Sequence, residues 1–592
     1  MPALESLPRG GLLALALAPD GSAALAWGSP DRPETAVLPA AEAPAALTDL
    51  TDLADLERDH RPRWVWWDGA VPARLVAGGL RPATCWDLAA AHRLLAGGWA
   101  ADPARIWAVV HDLPIGAAPQ SGQLTLDALG SAARSGVDGA GGDAGDGDPE
   151  SPVGPDGYLR PEWIDGGWAR TPDRARAWAA LALTVQDRQS RRLARLPVAG
   201  DPLATARSES AAALLCAELE ADGLPVDLDR ARELIAAVIG PAPRDGEHAA
   251  QLRRERDQAV LALAPTGAGA DLRNPAQVRA LLARVGIEVP DTRSWRLEPY
   301  RGTHPLIDAL LAWRKAERIA TTYGYGWLAR HVGPDARLRG AWTASDGAAG
   351  RMTAQAGLHN LPAELRPAIA APAGHVLVRA DLGQIEPRVL AVVSGDPALA
   401  RATQDDDLYL PVARRLGVPR ATAKVAVLAA MYGQTSGAAG QALKGLDAAY
   451  PTAMGYLRAA YEQGRAGSPV RTHGGRLVRV GPLPPDLDED GVRAALGARG
   501  RYVRNAVVQG AAAELFKAWA ATVRTRTAGL GARIVLCLHD EPLVQAPEPA
   551  GAQVAQLVED SLHEAAARLA GAAAVRFVAD VSVLRRWSDA KG

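Results

Sequence analysis

The 592-residue chain predicts a multidomain α/β protein, and three features of its sequence carry that expectation. Two β-rich apolar runs, in HVLVRADLGQIEPRVLA and RIVLCLHDEPLVQA, each stop at a carboxylate, Asp381 and Asp540, which sets an aspartate at a strand end in both cases. Between them Arg420-Ala-Thr-Ala-Lys424 starts a helical stretch whose two cations sit one turn apart, followed by Leu428 and by Tyr432 and Gly433. A chain of this length can bury several cores, so three or four domains are expected.

In chain order, the apolar run LLALALA near the start, with Arg9 the only basic residue around it, reads as a strand rather than a signal peptide. Together with the apolar run ARIWAVV and the helix-like AAAHRLLAG it indicates a mixed α/β unit. The leucines of LTDLTDLADLERDH recur every three residues, so Asp55 and Glu57 lie on an amphipathic helix as solvated acids. Trp64, Trp66 and Trp67 fit a core strand. Residues 130–157, rich in Gly, Asp, Ser and Pro, read as a disordered loop, and a helix is expected from Asp173 to Leu196. From Glu209 to Ile239 the pattern gives a long helix, a Gly-Leu-Pro break and an Asp-capped second helix. The later helix LIDALLAWRKAERIATTY presents Arg314, Lys315 and Arg318, either a phosphate-binding face or a solvated one. Asn505 and Gln509 stand one turn apart on a further helix.

Bulk properties exclude some classes. No apolar run approaches the ~18 residues of a membrane span. Cys85, Cys216 and Cys537 are too scattered for a zinc site and too few for a disulfide framework, which fits a reducing cytoplasm and no redox chemistry. The net charge of −2 neither supports nor excludes a polyanionic partner, since Arg414, Arg415, Arg420 and Lys424 cluster locally.

The segment Asp381-Leu-Gly-Gln384-Ile-Glu386-Pro-Arg388 resembles motif A of the family-A DNA polymerases, the helix Arg420 to Gly433 resembles motif B, and His539-Asp540-Glu541 resembles motif C. Gly350-Arg351-Met-Thr and Gly357-Leu-His-Asn360-Leu-Pro resemble the family segment that precedes motif A. The likeness covers residues 200–592 well and 1–195 weakly. It implies an RNase H-like exonuclease-type domain at 1–197, then a right-hand polymerase with thumb at 198–335, palm at 336–400 and 501–592, and fingers at 401–500.

The implied reaction joins a dNTP to a primer 3′-hydroxyl, in repair or gap filling. Such a transfer needs a deprotonated attacking oxygen and neutralised phosphate charge, which two Mg²⁺ ions, or Mn²⁺ in their place, supply. By resemblance, the metal ligands are Asp381, Asp540 and the carbonyl of Leu382, with Arg420, Lys424 and Glu541 completing the catalytic set. The nucleotide-binding residues are Arg420, Lys424, Leu428, Tyr432, Glu386, Gln384, Leu382 and His539, with Glu386 as a steric gate that holds Tyr432 and excludes ribonucleotides. Arg351, Asn360, Arg476, Asn505 and Gln509 match residues that contact DNA, chiefly in the minor groove, where A·T and T·A look alike. Primer-template DNA and dNTPs are the expected partners of a monomeric, cytoplasmic protein.

Two departures from the family pattern stand out. Position 428 is leucine where an aromatic is usual, and the stretch between Gly433 and Tyr450 is short, which implies reduced fingers. In the amino-terminal part CWDLAAAHRLL around Asp87 resembles a family segment, but no D-x-E follows the first strand, and Trp178-Ala-Ala-Leu-Ala182 replaces the expected Tyr and Asp. Proofreading is therefore expected to be lost, and the chain has no room for a 5′-nuclease ahead of this domain. The alternatives are a bifunctional exonuclease-polymerase and a polymerase-derived scaffold that holds DNA without turnover.

Overall fold

A computed structural model describes residues 6–40, 50–120, 148, 150–264, 270–433, 438–538, 540–571 and 573–590. The chain forms two units. The first comprises residues 1–222, 341–354 and 374–583, and the second 223–340, 355–373 and 584–592.

The first unit starts with strands β1 (Leu12–Leu17), β2 (Ala23–Ser29) and β3 (Arg32–Leu38), then α1 (Thr51–His60), β4 (Arg63–Trp66), α2 (Ala70–Ala77), β5 (Thr84–Asp87), α3 (Leu88–Ala96) and α4 (Pro103–Val110). Helices α5 (Pro172–Ala194) and α6 (Pro202–Asp222) follow. The sheet order is β3-β2-β1-β4-β5; β2 and β3 are antiparallel neighbours, whereas β1, β4 and β5 run parallel. Helices cover both faces of the sheet, which is why its strands read as continuous apolar runs. Leu13, Leu15, Trp64 and Trp66 pack with Leu53 and Leu56 of α1 on one face, while Ala14, Ala16, Val65 and Trp67 pack with α3, α4 and α5 on the other. The indoles are core groups, and their N–H bonds have buried acceptors: Trp66 donates to Asp87 at 2.9 Å and Trp86 to Gln189 at 2.9 Å.

Two expectations change here, and one apolar run is assigned. ARIWAVV is the helix α4, because Asp102 caps the N–H of Arg105 and Pro103 occupies the first turn, and these start signals outweigh the β-branched content. Glu57 is not a solvated acid: it accepts from the Trp64 indole at 2.7 Å and from the Ala83 N–H at 2.8 Å. Of the stretch 130–157, residues 130–147 and 149 lie outside the described residues, whereas 150–157 is folded, with Val153 bridged to Leu159 and Glu150 held by Arg174 at 2.8 Å.

The second sheet of this unit has the order β7-β8-β6-β9, built from β6 (His375–Leu382), β7 (Arg533–Leu538), β8 (Glu541–Pro547) and β9 (Ala579–Leu584). Between β6 and β7 lie α7 (Ile385–Ser394), α8 (Tyr409–Leu416), α9 (Arg420–Tyr432), α10 (Pro451–Ala466) and the 39-residue α11 (Glu489–Thr527); α12 (Gly551–Ala570) precedes β9. The helix α11 is joined to α6 by a buried ion cluster. Glu209 of α6 lies 2.6 Å from Arg476 and 2.7 Å from Lys517 of α11, and all three are at most 3% exposed. Glu514, one turn before Lys517, accepts from Thr472 and from the Gly474 N–H. Cys85, Cys216 and Cys537 are free and buried.

The second unit is largely helical. Asp227 caps the helix Leu228–Ile239, and Val278, Leu281, Leu282, Leu306, Leu310 and Trp313 form its core. The basic face of Pro305–Arg318 is engaged within the unit: Arg314 donates to the Thr292 carbonyl, Lys315 pairs with Glu364 at 2.7 Å, and Arg318 donates to the Asn360 carbonyl at 2.7 Å. Among the described residues no helix is long and apolar enough to cross a membrane.

Removing Glu209 strands two buried cations. Glu209→Ala should therefore destabilise the chain by about 3–5 kcal/mol in urea unfolding, far more than an exposed pair would.

Candidate active site

Strand β6 carries Arg379 and Asp381 on one face, two residues apart, while Ala380 and Leu382 point into the core. Its antiparallel partner β8 pairs Arg379 with Leu543, and β7 returns to β8 through the turn that holds Asp540. The Leu382 N–H donates to the Asp540 carbonyl at 3.1 Å, which locks the two strand ends together and sets the two aspartates side by side. Burial, with Asp381 as a like-charged neighbour, pushes Asp540 up to about 6. Burial also raises Asp381, against the opposing pull of Arg379.

The loop after β6 is fixed by two residues. Gln384, with a φ of 57°, starts α7; its amide donates to Asp407 at 2.7 Å and its carbonyl accepts from the Leu408 N–H at 2.8 Å. Arg388 is fully buried and donates to the carbonyls of Gly383, Thr403, Asp405, Asp406 and Arg576 at 2.6–3.1 Å. Asp407 in turn binds the Arg420 guanidinium at the start of α9. Loop, turn and helix are thus tied through one aspartate. Sequence reading missed Asp407, because a run of three acids normally signals a solvated turn; its position just ahead of an apolar helix was the available cue.

Glu386 on the first turn of α7 accepts from the Tyr432 hydroxyl at 3.1 Å and from Arg351 at 2.8 Å. Arg351 and Glu386 border a cleft of about 280 Å³ that Gln384, Tyr409, Leu428, Phe516 and Asp540 also line. Gln509 of α11 lies near the Tyr432 hydroxyl, and Asn505, one turn earlier, keeps its side-chain oxygen buried without a partner among the described residues. Lys424 is exposed on α9, one turn beyond Arg420, and has no ionic partner among the described residues.

Other expected residues are placed elsewhere. Arg476 is 3% exposed and committed to Glu209 and to Ser345 at 2.9 Å, so burial removes it from any surface that DNA could reach. Asn360 belongs to the second unit, where its carbonyl accepts from Arg318 and Tyr323 at 2.7 Å. Glu541 faces Arg379, 2.7 Å away. His539 lies outside the described residues.

The donor set suits a hard cation that draws part of its shell from elsewhere. Among the described residues no cluster of three or more His, Cys, Asp or Glu forms a protein cage. Two carboxylates at adjoining strand ends, one of them paired with Arg379, match a Mg²⁺-type ion completed by phosphate oxygens and water.

The sequence model of DNA polymerase family A matches residues 263–589. The chain belongs to DNA polymerase family A. Among curated relatives of this family-A chain, the thermostable DNA polymerase I of Thermus caldophilus is 30% identical over 325 residues, 50% of this chain and 38% of that protein. DNA polymerase I of Chloroflexus aurantiacus is 32% identical over 295 residues, 45% of this chain and 31% of that one. DNA polymerase theta of Caenorhabditis elegans is 26% identical over 345 residues, 52% and 20% of the two chains. The match thus spans less than two fifths of each relative's length. In fold, the chain is similar to the POL domain of Pol1 from M. smegmatis, solved with DNA primer-template and dNTP: the TM-score is 0.63 at 22% identity, covering 99% of this chain and 97% of that one.

Arg388→Ala removes the guanidinium donor of five backbone carbonyls in this family-A chain. A loss of at least about 3 kcal/mol is expected in urea unfolding, and Arg388→Lys should recover only part of it, because an ammonium cannot span the fork that the guanidinium fills.

Proposed function

We propose that the chain is a DNA-templated DNA polymerase that adds dNTPs to a primer 3′-hydroxyl, serving repair or gap filling. The observation that carries this reading is the convergence of Asp381 and Asp540 at paired strand ends, beside a cleft lined by Glu386 and Leu428, in a family-A chain.

In this reading, Asp381, Asp540 and the Leu382 carbonyl hold two divalent cations, which would make the primer hydroxyl a better nucleophile and neutralise phosphate charge. Arg420 and Lys424, a turn apart on α9, bind the triphosphate, and Lys424 supplies a proton to the departing pyrophosphate. Asp407 aims Arg420 by holding its guanidinium from one side. Glu386, pinned by Tyr432 and Arg351, fills the space that a ribose 2′-hydroxyl would need. Leu428 packs by the sugar as a smaller apolar contact than an aromatic ring. Gln509 and Asn505 lie on the primer-template side. His539 acts with the nucleotide and Asn360 with the DNA.

The sheet β7-β8-β6-β9 is read as the palm (336–400 and 501–592), residues 401–500 as reduced fingers, and 198–335 as the thumb. Residues 1–197 are read as a degenerate 3′-5′ exonuclease-like domain, supported by the strand order β3-β2-β1-β4-β5. Loss of proofreading is supported at the end of β1, where the Arg74 guanidinium, not a carboxylate pair, reaches the carbonyls of Leu17 and Ala18 at 2.8 and 2.9 Å. Asp87 is likewise occupied, capping α3 while it accepts from Trp66.

A 5′-labelled primer on a longer template should lengthen only with Mg²⁺ and dNTPs, stop lengthening on chelation, and stay intact without dNTPs. Asp381→Asn and Asp540→Asn should each cut extension on the order of a thousandfold with an unchanged melting temperature. Full extension by both variants would overturn the polymerase reading, and primer shortening would restore the exonuclease. Glu386→Ala should raise ribonucleotide incorporation relative to deoxyribonucleotide by roughly tenfold or more, because it opens the space beside the sugar.

A further inference from the structure

Arg379 stands within the carboxylate cluster of the proposed metal site. Its side chain is 9% exposed; Nη2 lies 2.6 Å from Asp381 Oδ2 and 2.7 Å from Glu541 Oε2, and Nε donates to the same Glu541 oxygen at 2.9 Å. Nη1 lies 3.8 Å from Asp580 on β9. The sheet puts it there: Arg379 and Asp381 share a face of β6, and Glu541 begins β8, two residues before the cross-strand partner of Arg379. Three strands therefore aim carboxylates at one guanidinium, which is planar and permanently charged.

A cation arriving at Asp381 meets a carboxylate with one oxygen already engaged and part of its charge already balanced. Glu541 is held on the Arg379 side, although it is adjacent in sequence to Asp540. Both effects lower the electrostatic return on binding a divalent ion to the empty-handed protein, that is, before any triphosphate contributes its own oxygens.

We propose that Arg379 is a resident counter-ion and positioning residue of the metal site: it holds Asp381 by one oxygen and keeps Glu541 turned away from the metal, so that the chain alone binds divalent cations weakly and admits them together with the anionic nucleotide. This inference rests on the polymerase reading and extends it to the order in which cation and nucleotide enter. It also gives Glu541 a role other than ligand, as the second anchor of the arginine.

The test is Mn²⁺ binding to the full chain without DNA or nucleotide, read from the electron paramagnetic resonance signal of free Mn²⁺. Arg379→Met and Arg379→Gln remove the charge, and Gln retains amide donors within the cluster if Met proves too disruptive to fold. Each should tighten Mn²⁺ binding roughly tenfold to hundredfold, whereas Arg379→Lys, which restores a cation, should stay near the wild-type value. Adding Asp381→Asn to either neutral variant should abolish the gain. Saturating Mn²⁺ should also restore the melting temperature that the neutral variants lose, since the metal then replaces the missing charge. Equal Mn²⁺ affinity in the wild-type, Met and Gln proteins would overturn the proposal, as would a gain that survives Asp381→Asn. Primer extension by the wild-type chain runs alongside: extension with unchanged Mn²⁺ affinities overturns this inference alone, and no extension under any metal condition overturns the polymerase reading beneath it.

Discussion

The antiparallel register of β6 on β8 is the constraint on which the rest of the site depends. It is closed at its end by the Leu382 N–H on the Asp540 carbonyl, which places two acids from distant parts of the chain at one point. A slip of one residue would turn Asp381 into the core and Leu382 outward, because strand side chains alternate faces. The apolar faces of Val376, Val378 and Ala380, all nearly inaccessible, make that slip costly, so the same residues that build the core also aim the carboxylate.

Like charges brought together in a partly buried place need compensation, and this chain supplies it in layers. Arg379 neutralises the cluster directly. Arg388 forms no salt bridge among the described residues; its burial is made tolerable by five carbonyls, and the result is a rigid loop between β6 and α7. Gln384 and Asp407 extend that rigidity to Arg420, which leaves one face of its guanidinium toward solvent while its neighbour Lys424 is exposed. The site is thus stiff on its carboxylate side and open on its cationic side, an arrangement suited to receiving a mobile anionic substrate.

The amino-terminal sheet shows the opposite economy. Its strand ends and helix starts are satisfied internally, by Arg74 on β1 and by Asp87 at α3, and its tryptophans spend their indole N–H groups on buried acceptors. The Glu209 cluster fastens α6 to α11 and thereby to the elements around the cleft.

Much of this was legible in the chain alone. The strand before Asp381 and the helix from Arg420 with its step-of-four cations follow from local periodicity, which depends only on neighbours in sequence, whereas the contact of Glu386 with Tyr432 was implied by the family resemblance. The apolar run ARIWAVV is a helix because Asp102 and Pro103 supply its start signal. Asp407 was missed although the apolar helix after it was a cue, whereas the pairing of Arg379 and the burial of Arg476 could not be read at all. An arginine inside a strand and a cation in a Gly-rich loop have no local signature; their roles exist only through partners far away in sequence, at Glu541 and Glu209. Local sequence determined which segments are helices and strands and which residues could do chemistry, whereas tertiary packing decided which charges meet, because only the folded sheet brings those charges within a few ångströms in a low-dielectric place.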